Sequence, residues 1–329
     1  MDFSGLVKNY PLNRPLTDQE RQHHLLQTKR LEVEPLDQLA VIKMNSTYLE
    51  TVDKWFGWKG FVTTISLAIL VIFTLPLGYM TGNSLLTAAG VLPTEDSRLE
   101  FLGFGLLMGA VLAAIWFFMV RLLKKESFRF THYPIRYNRR TRMVHYFRTD
   151  GTTGSVPWDE VYFTLGFEGQ MCGVRGHILT KDRQTVVDTF ALSHTGVIHS
   201  HELDPVTQQY ARSDFVRSHW EFVRRYMEDG PKEAAERVKF CMPVDGRRET
   251  AKGGAQRVFA NFAGWPVAIV LMSPFCALIS LARVFAMRTS EIPQWPQEIE
   301  DACEVEANDP YAIAGDSAGD KVPMHQGAR

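Results

Sequence analysis

Three apolar stretches interrupt an otherwise polar chain. The first, "GFVTTISLAILVIFTLPLGYM" at residues 60–80, and the second, "FLGFGLLMGAVLAAIWFFMV" at residues 101–120, contain no Asp, Glu, Lys, Arg or His. Each matches the roughly 20 residues with which a helix crosses a hydrocarbon core about 30 Å thick. A core helix of that length in a water-soluble protein carries a polar stripe, and neither stretch has one. The pattern therefore predicts a transmembrane hairpin over residues 60–123, with spans at 60–80 and 101–120. The third stretch, "VFANFAGWPVAIVLMSPFCALISLA", is long enough to cross once, but Asn261, Gly264, Pro266 and Pro274 interrupt it. Basic residues flank both of its ends, Arg247, Arg248, Lys252 and Arg257 before and Arg283 and Arg288 after. That symmetry favours a re-entrant or interfacial helical hairpin over residues 258–283 rather than a third span.

Between the second and third stretches the period changes. Short runs rich in β-branched and aromatic residues near 128–137, 142–148, 154–167, 172–180 and 184–191 alternate with turn signals at Asn138-Arg139-Arg140, Asp150-Gly151, Gly169 and Lys181-Asp182-Arg183. Antiparallel strands joined by short loops are the natural reading. "SDFVRSHWEFVRRYMEDGP" then reads as an amphipathic helix capped by Ser213 and stopped by Gly230-Pro231. The expectation is a cytoplasmic β-rich domain over residues 124–257 with a closing helix, an arrangement found in pleckstrin-homology-like domains. Residues 1–59 read as a helical segment. Thr17 with Glu20 forms a capping-box pattern, and "LAVIKMNSTYLETVDKWFGWKG" reads as a second helix running into the first apolar stretch. Asn45-Ser46-Thr47 reads as a local cap or turn rather than a glycosylation acceptor. The fold class is thus an α+β membrane protein.

Bulk composition, 45% hydrophobic and 22% charged with a formal net charge of −1, conceals this division, but the placement of charge sharpens it. The connector at 81–100 has Arg98 as its only Lys or Arg, whereas Lys54 and Lys59 precede the hairpin and Arg121, Lys124, Lys125 and Arg129 follow it. By the positive-inside rule the N-terminus and main domain are expected on the cytoplasmic side and the short connector outside. Residues 1–59 are too polar for a cleavable signal peptide. The tail at 284–329 holds three Lys or Arg against nine Asp or Glu, while residues 121–257 hold 23 against 17. If tail and domain lie on one side of the membrane, opposite charge predicts that the tail docks on the domain. Cys172, Cys241, Cys276 and Cys303 are far apart in sequence and read as reduced, structural residues.

Candidate chemistry is sparse. Arg136, Arg139, Arg140, Arg142 and Arg148 form the densest basic patch and are candidates for contact with anionic lipid or a protein partner. A solvated face, or pairing with the acidic tail, would account for them equally. Trp158-Asp159 reads as a core aromatic followed by a partner for an arginine. His194, His199 and His201, with Glu202 and Asp204, have a spacing that could hold zinc, but read as a polar loop. Gly105, Gly109 and Ala113 allow close helix packing, either within the hairpin or between copies in a homo-oligomer. Phosphate-loop, kinase and nucleophile-elbow patterns are missing, which argues against an enzyme and implies no metal or cofactor. Near-neutral charge argues against nucleic acid.

The C-terminal "SLARVFAMRTSEIPQWPQEIEDACEVEANDPYA", together with "NSTYLETVDKWFGWKG" and "PIRYNRRTRMVHYFR" followed by "VPWDEV", resembles an uncharacterised family of membrane proteins. That family occurs chiefly in proteobacteria, often beside type VI secretion genes. The likeness spans about residues 11–311. It implies a non-enzymatic inner-membrane protein that binds a protein partner, as an immunity or accessory factor. An anionic-lipid-binding scaffold is the alternative, and a metal-dependent hydrolase the least favoured reading.

Overall fold

A capping box opens the fold, with the Thr17 hydroxyl accepting from Glu20 N (3.2 Å) and the Glu20 carboxylate accepting from Thr17 N (2.8 Å). The computed structural model describes residues 3–168, 171–196, 205–238, 240–260 and 266–315. Helix α1 (Asp18–Gln22) lasts one turn, because β1 (Arg14–Pro15) and β2 (His24–Leu25) on either side join a sheet. The helix expected next is instead a hairpin, β3 (Val41–Met44) and β4 (Tyr48–Thr51). Asn45 makes its turn by accepting from the backbone N–H groups of Thr47 and Tyr48, both at 2.8 Å. All four residues of β4 are buried. With both faces covered, the alternation that marks a strand is erased, and the apolar spacing mimics a helix. Residues 1–59 are therefore not a helical segment; they supply strands to both sheets.

The first sheet runs β11-β3-β4-β5-β6-β7, with β5 at Ile135–Asn138, β6 at Met143–Phe147, β7 at Thr153–Pro157 and β11 at Ile313–Ala314. The second runs β1-β10-β9-β8-β2, with β8 at Tyr162–Glu168, β9 at Met171–Leu179 and β10 at Thr185–Gly196. Both are antiparallel. The run expected at 154–167 is broken by a 3-10 turn at Trp158–Glu160, where the chain passes from one sheet to the other. Helix α4 (Pro205–Glu228) closes the body. It begins eight residues before Ser213, because Pro205 opens a helix well. Gly230, at φ 106°, ends it before α5 (Pro231–Arg237). Trp158 is fully enclosed between the layers, stacked on Trp220 at 5.5 Å and donating from Nε1 to Glu228 at 2.6 Å.

The apolar helices grow out of the first sheet. α2 (Phe61–Ala88) and α3 (Arg98–Glu126) lie side by side between β4 and β5 in the sequence, yet Thr51 pairs with Ile135 in the sheet. Gly105 and Gly109 face the neighbouring helix: a β-carbon there would meet Leu85 at 3.0 Å and Thr81 at 3.3 Å. The small residues thus pack the hairpin internally, while Ala113 stays exposed. The third apolar segment is α7 (Pro266–Thr289), unbroken through Pro274 and preceded by α6 (Ala251–Ala260). Asn261 and Gly264 lie outside the described residues. Three helices are long and apolar enough to cross a membrane. Just before α6, the Arg248 guanidinium donates to the carbonyls of Met287 (3.1 Å) and Ser290 (3.0 Å), so the α6–α7 unit starts and ends at one point on the body.

The tail then returns across the first sheet through α8 (Gln297–Ala302) and β11, as the charge balance predicts. Arg136 is the clasp. Enclosed between the rings of Tyr48 (4.6 Å) and Trp295 (4.9 Å), it donates to Glu50 (2.8 Å) and Glu300 (3.0 Å). Arg136→Ala leaves the Glu50 carboxylate buried without its cation, a loss of about 3–5 kcal/mol. The expected outcome is a lower melting temperature with earlier proteolytic cutting of the tail, read by thermal melts and limited digestion.

Candidate functional site at the shoulder of the apolar helices

The five arginines singled out in the sequence do not form a surface. Arg136 is 0% exposed. Arg142 pairs with Asp159 (2.5 Å) and Glu228 (2.9 Å), and Arg148 with Asp188 (2.7 Å). Arg139 is half-buried beside Gly230, which leaves Arg140 exposed. Arg139 and Arg140 also sit past the far end of β5, whose four residues carry the chain about 13 Å from the helix roots. The acidic partners of Arg136, Arg142 and Arg148 lie from 17 to 164 residues away in sequence, and no local pattern announces them. His199, His201, Glu202 and Asp204 lie outside the described residues, as does the side chain of His194.

The structure instead concentrates chemistry at the shoulder, where the chain passes from β4 into α2 and from α3 into β5. Lys59 donates to the carbonyls of Glu126 (3.1 Å) and Phe130 (2.7 Å). Glu126 turns inward and accepts from Thr63 N at 2.7 Å. Gly60, at φ 98°, lets the root of α2 meet the Arg283 backbone, which would stand 2.7 Å from a β-carbon. Arg283 in turn donates to Glu249 (2.6 Å) and to the carbonyls of Phe56 (2.7 Å) and Lys59 (3.1 Å). Asp53 accepts from Tyr133 N (2.7 Å) and Trp55 N (2.8 Å), and its burial pushes the carboxyl up. Burial, aided by the Lys59 charge, pushes His132 down to about 3. These contacts act as a structural joint, with Arg283 Nη2 left without a hydrogen-bond partner among the described residues.

Beside the joint opens a cleft of about 340 Å³ between residues 5–12, the β6–β7 turn and β10. Tyr10, Trp55, Tyr133, Phe147 and Phe190 wall it, and Lys125 and Arg129 stand at its rim. Asp188 on the wall is already engaged, accepting from the Tyr146 hydroxyl (2.6 Å) and Arg148 (2.7 Å). The Tyr133 hydroxyl lies against the Phe130 backbone but completes no hydrogen bond. Arg121, Lys124, Lys125 and Arg129 have no ion-pair partner among the described residues, and three of the four are exposed. The cleft is lined by three carboxylates, Asp53, Asp150 and Asp188, and three cations, but Asp188 pairs with Arg148 and the other two accept from nearby N–H groups, which leaves Lys125 and Arg129 to attract an anion. In the sequence Lys125 and Arg129 register only as topology markers, because Tyr10, Tyr133 and Phe190 are too far apart to announce a shared wall.

Thr189, also on the wall, meets His177 Nδ1 at 2.8 Å, and His177 Nε2 lies 3.2 Å from Glu20. Arg14 holds the same carboxylate through two contacts, at 2.6 and 2.7 Å. The trio fastens β1 and α1 onto the second sheet. Among the described residues no cluster of His, Cys, Asp and Glu could hold a metal ion, and the four cysteines are free and buried.

Residues 112–307 match a family model described as a Family of unknown function (DUF6708). That is 196 of the 329 residues, from within α3 to beyond α8, and the chain belongs to this family. Neither a curated protein nor a solved structure matches it.

Stability should follow pH through these buried groups. Burial opposes ionisation of Glu20, but His177, Arg14 and Thr17 N outweigh it and hold the carboxyl well below its ordinary 4.5. Its contribution is complete above pH 4.5 and is lost as the pH falls. Burial holds His145 and His219 down to about 4, whereas an unfolded chain takes up those protons from about 6.5. The urea midpoint should therefore decline from pH 6.5 to 4. Glu20→Gln should lower it at pH 7, with the gap to the unaltered protein narrowing below pH 4.5. A gap that stays constant would refute this account.

Proposed function

We propose that this member of the DUF6708 family is a membrane-anchored binding protein that holds its β-rich body against the cytoplasmic face of an inner membrane and captures an anionic ligand in the shoulder cleft. The observation that carries the reading is the pair Lys125 and Arg129, without ion-pair partners among the described residues, lining an aromatic cleft. Orientation follows from the same chemistry. The body-side ends of α2 and α3 gather Lys54, Lys59, Arg121, Lys124, Lys125 and Arg129, and the opposite connector has only Arg98.

The α6–α7 unit is best read as re-entrant. Its two ends meet at Arg248, and the 10 residues of α6 reach about 15 Å against a core of about 30 Å. Binding rather than catalysis is supported by how the buried histidines are used, His132 on Thr131, His145 on Ser155 and His219 on the Leu36 carbonyl. Two sheets closed by one amphipathic helix also suit the pleckstrin-homology-like arrangement expected from the sequence, an analogy of architecture alone. The resemblance to proteins encoded beside type VI secretion genes supports an immunity or accessory role, with a protein partner reached from this same face.

In detergent at low salt, inorganic pyrophosphate should raise the melting temperature of the full chain saturably. A ligand at 100 times its Kd adds about 2.7 kcal/mol. Lys125→Glu with Arg129→Glu should abolish the rise and Arg140→Glu should not; no rise in the unaltered protein sinks the reading. Reporter fusions test the topology independently: a phosphatase that folds only outside the cytoplasm should be active within residues 89–97 and inactive after residue 315.

A further inference from the structure

We propose that the ligand is an anionic phospholipid, with its phosphate between Lys125 and Arg129 and its acyl chains against Trp116, Phe117 and Val120 of α3. The inference rests on the anion-binding reading of the cleft and names the molecule that fills it.

A second void, of about 610 Å³, lies on the outer side of α3 and shares Lys125 and Arg129 with the cleft. Its outer lining is apolar, Trp116, Phe117 and Val120, and its inner lining is cationic. Phe117, Arg121 and Lys125 follow one another at i, i+4 spacing, so a single face of the helix passes from aromatic to basic over about 12 Å. This is the polarity order of a phospholipid met along the bilayer normal, acyl chain first and phosphate next. Trp116 and Phe117 are 46% and 62% exposed, although the Trp116 indole also donates to the Thr74 hydroxyl of α2 at 2.9 Å.

Charge is complementary as well. The adjacent Glu126 is turned away into the joint, where Thr63 N holds it, and Asp150 on the cleft wall accepts from Thr152 N (2.9 Å) and the Thr152 hydroxyl (2.7 Å), so among the described residues no ion pair engages the four cations. A free phosphate would use the cleft and leave the aromatic groove idle, whereas a lipid uses both.

Native mass spectrometry of the delipidated full chain tests this with three probes: dioleoyl-phosphatidylglycerol, dioleoyl-phosphatidylcholine and soluble glycerol 3-phosphate. One phosphatidylglycerol should be retained at least about tenfold better than phosphatidylcholine, the effect expected of two or more nearby cations. Lys125→Glu with Arg129→Glu should remove that preference. Trp116→Ala with Phe117→Ala should weaken the lipid while leaving glycerol 3-phosphate unchanged. Arg140→Glu, at the distant turn, should behave as the unaltered protein, and circular dichroism and melting temperature confirm that each variant is folded. Lipid retention that ignores both charge reversal and headgroup overturns the inference. Glycerol 3-phosphate bound as tightly as phosphatidylglycerol overturns it too while leaving the anion site intact, and failure of all three probes removes both readings.

Discussion

A single ammonium group holds the molecule's two halves in register. Lys59 ties the carbonyls of Glu126 and Phe130 to the root of α2, so the chain that leaves the sheet after β4 returns beside it as β5. Without that convergence Thr51 could not pair with Ile135, and the six-stranded sheet would be split between two chain segments. Burying a lysine there is tolerable because helix termini expose carbonyls that need donors in any case. Arg283 applies the same solution to the third apolar helix, using the carbonyls of Phe56 and Lys59 and the Glu249 carboxylate. Burial alone would raise that carboxyl; its two arginine neighbours, Arg283 and Arg257, keep it low and therefore charged.

Identical residue types meet different fates according to what the topology places opposite them. Arg136, Arg142 and Arg148 are drawn into the body by Glu50, Glu300, Asp159, Glu228 and Asp188. Lys125 and Arg129 escape such pairing, because the carboxylate nearest in sequence, Glu126, is committed to the joint. A cation's availability is thus a property of the tertiary structure rather than of local density. Three arginines of the densest basic run are drawn into the body, whereas Lys125 and Arg129 carry the candidate site.

That contrast also measures what the sequence could show. The apolar helices were legible because twenty uncharged residues have few other uses, and β5 to β10 because turn residues such as Asp150-Gly151 punctuate them. Trp158 as a core aromatic and Asp159 as an arginine partner were legible from residue chemistry. The β3–β4 hairpin was not: with Val41, Ile42, Leu49 and Thr51 all enclosed, the period-2 signal vanished. Nor was the cleft, whose walls come from residues 10, 55, 133, 147 and 190. Local pattern reports what a segment buries, and only the assembled sheets report which segments meet.

Placing the helical hairpin between two paired strands also sets an order of events during synthesis. β4 emerges from the ribosome 84 residues before its neighbour β5, a wait of several seconds at roughly 5–20 residues per second. During that interval α2 and α3 are made, while the first sheet has only its β3–β4 hairpin in hand. The first sheet is therefore completed only after both apolar helices exist, and the closure of α8 and β11 over Arg136 waits until residues 297–314 have been made.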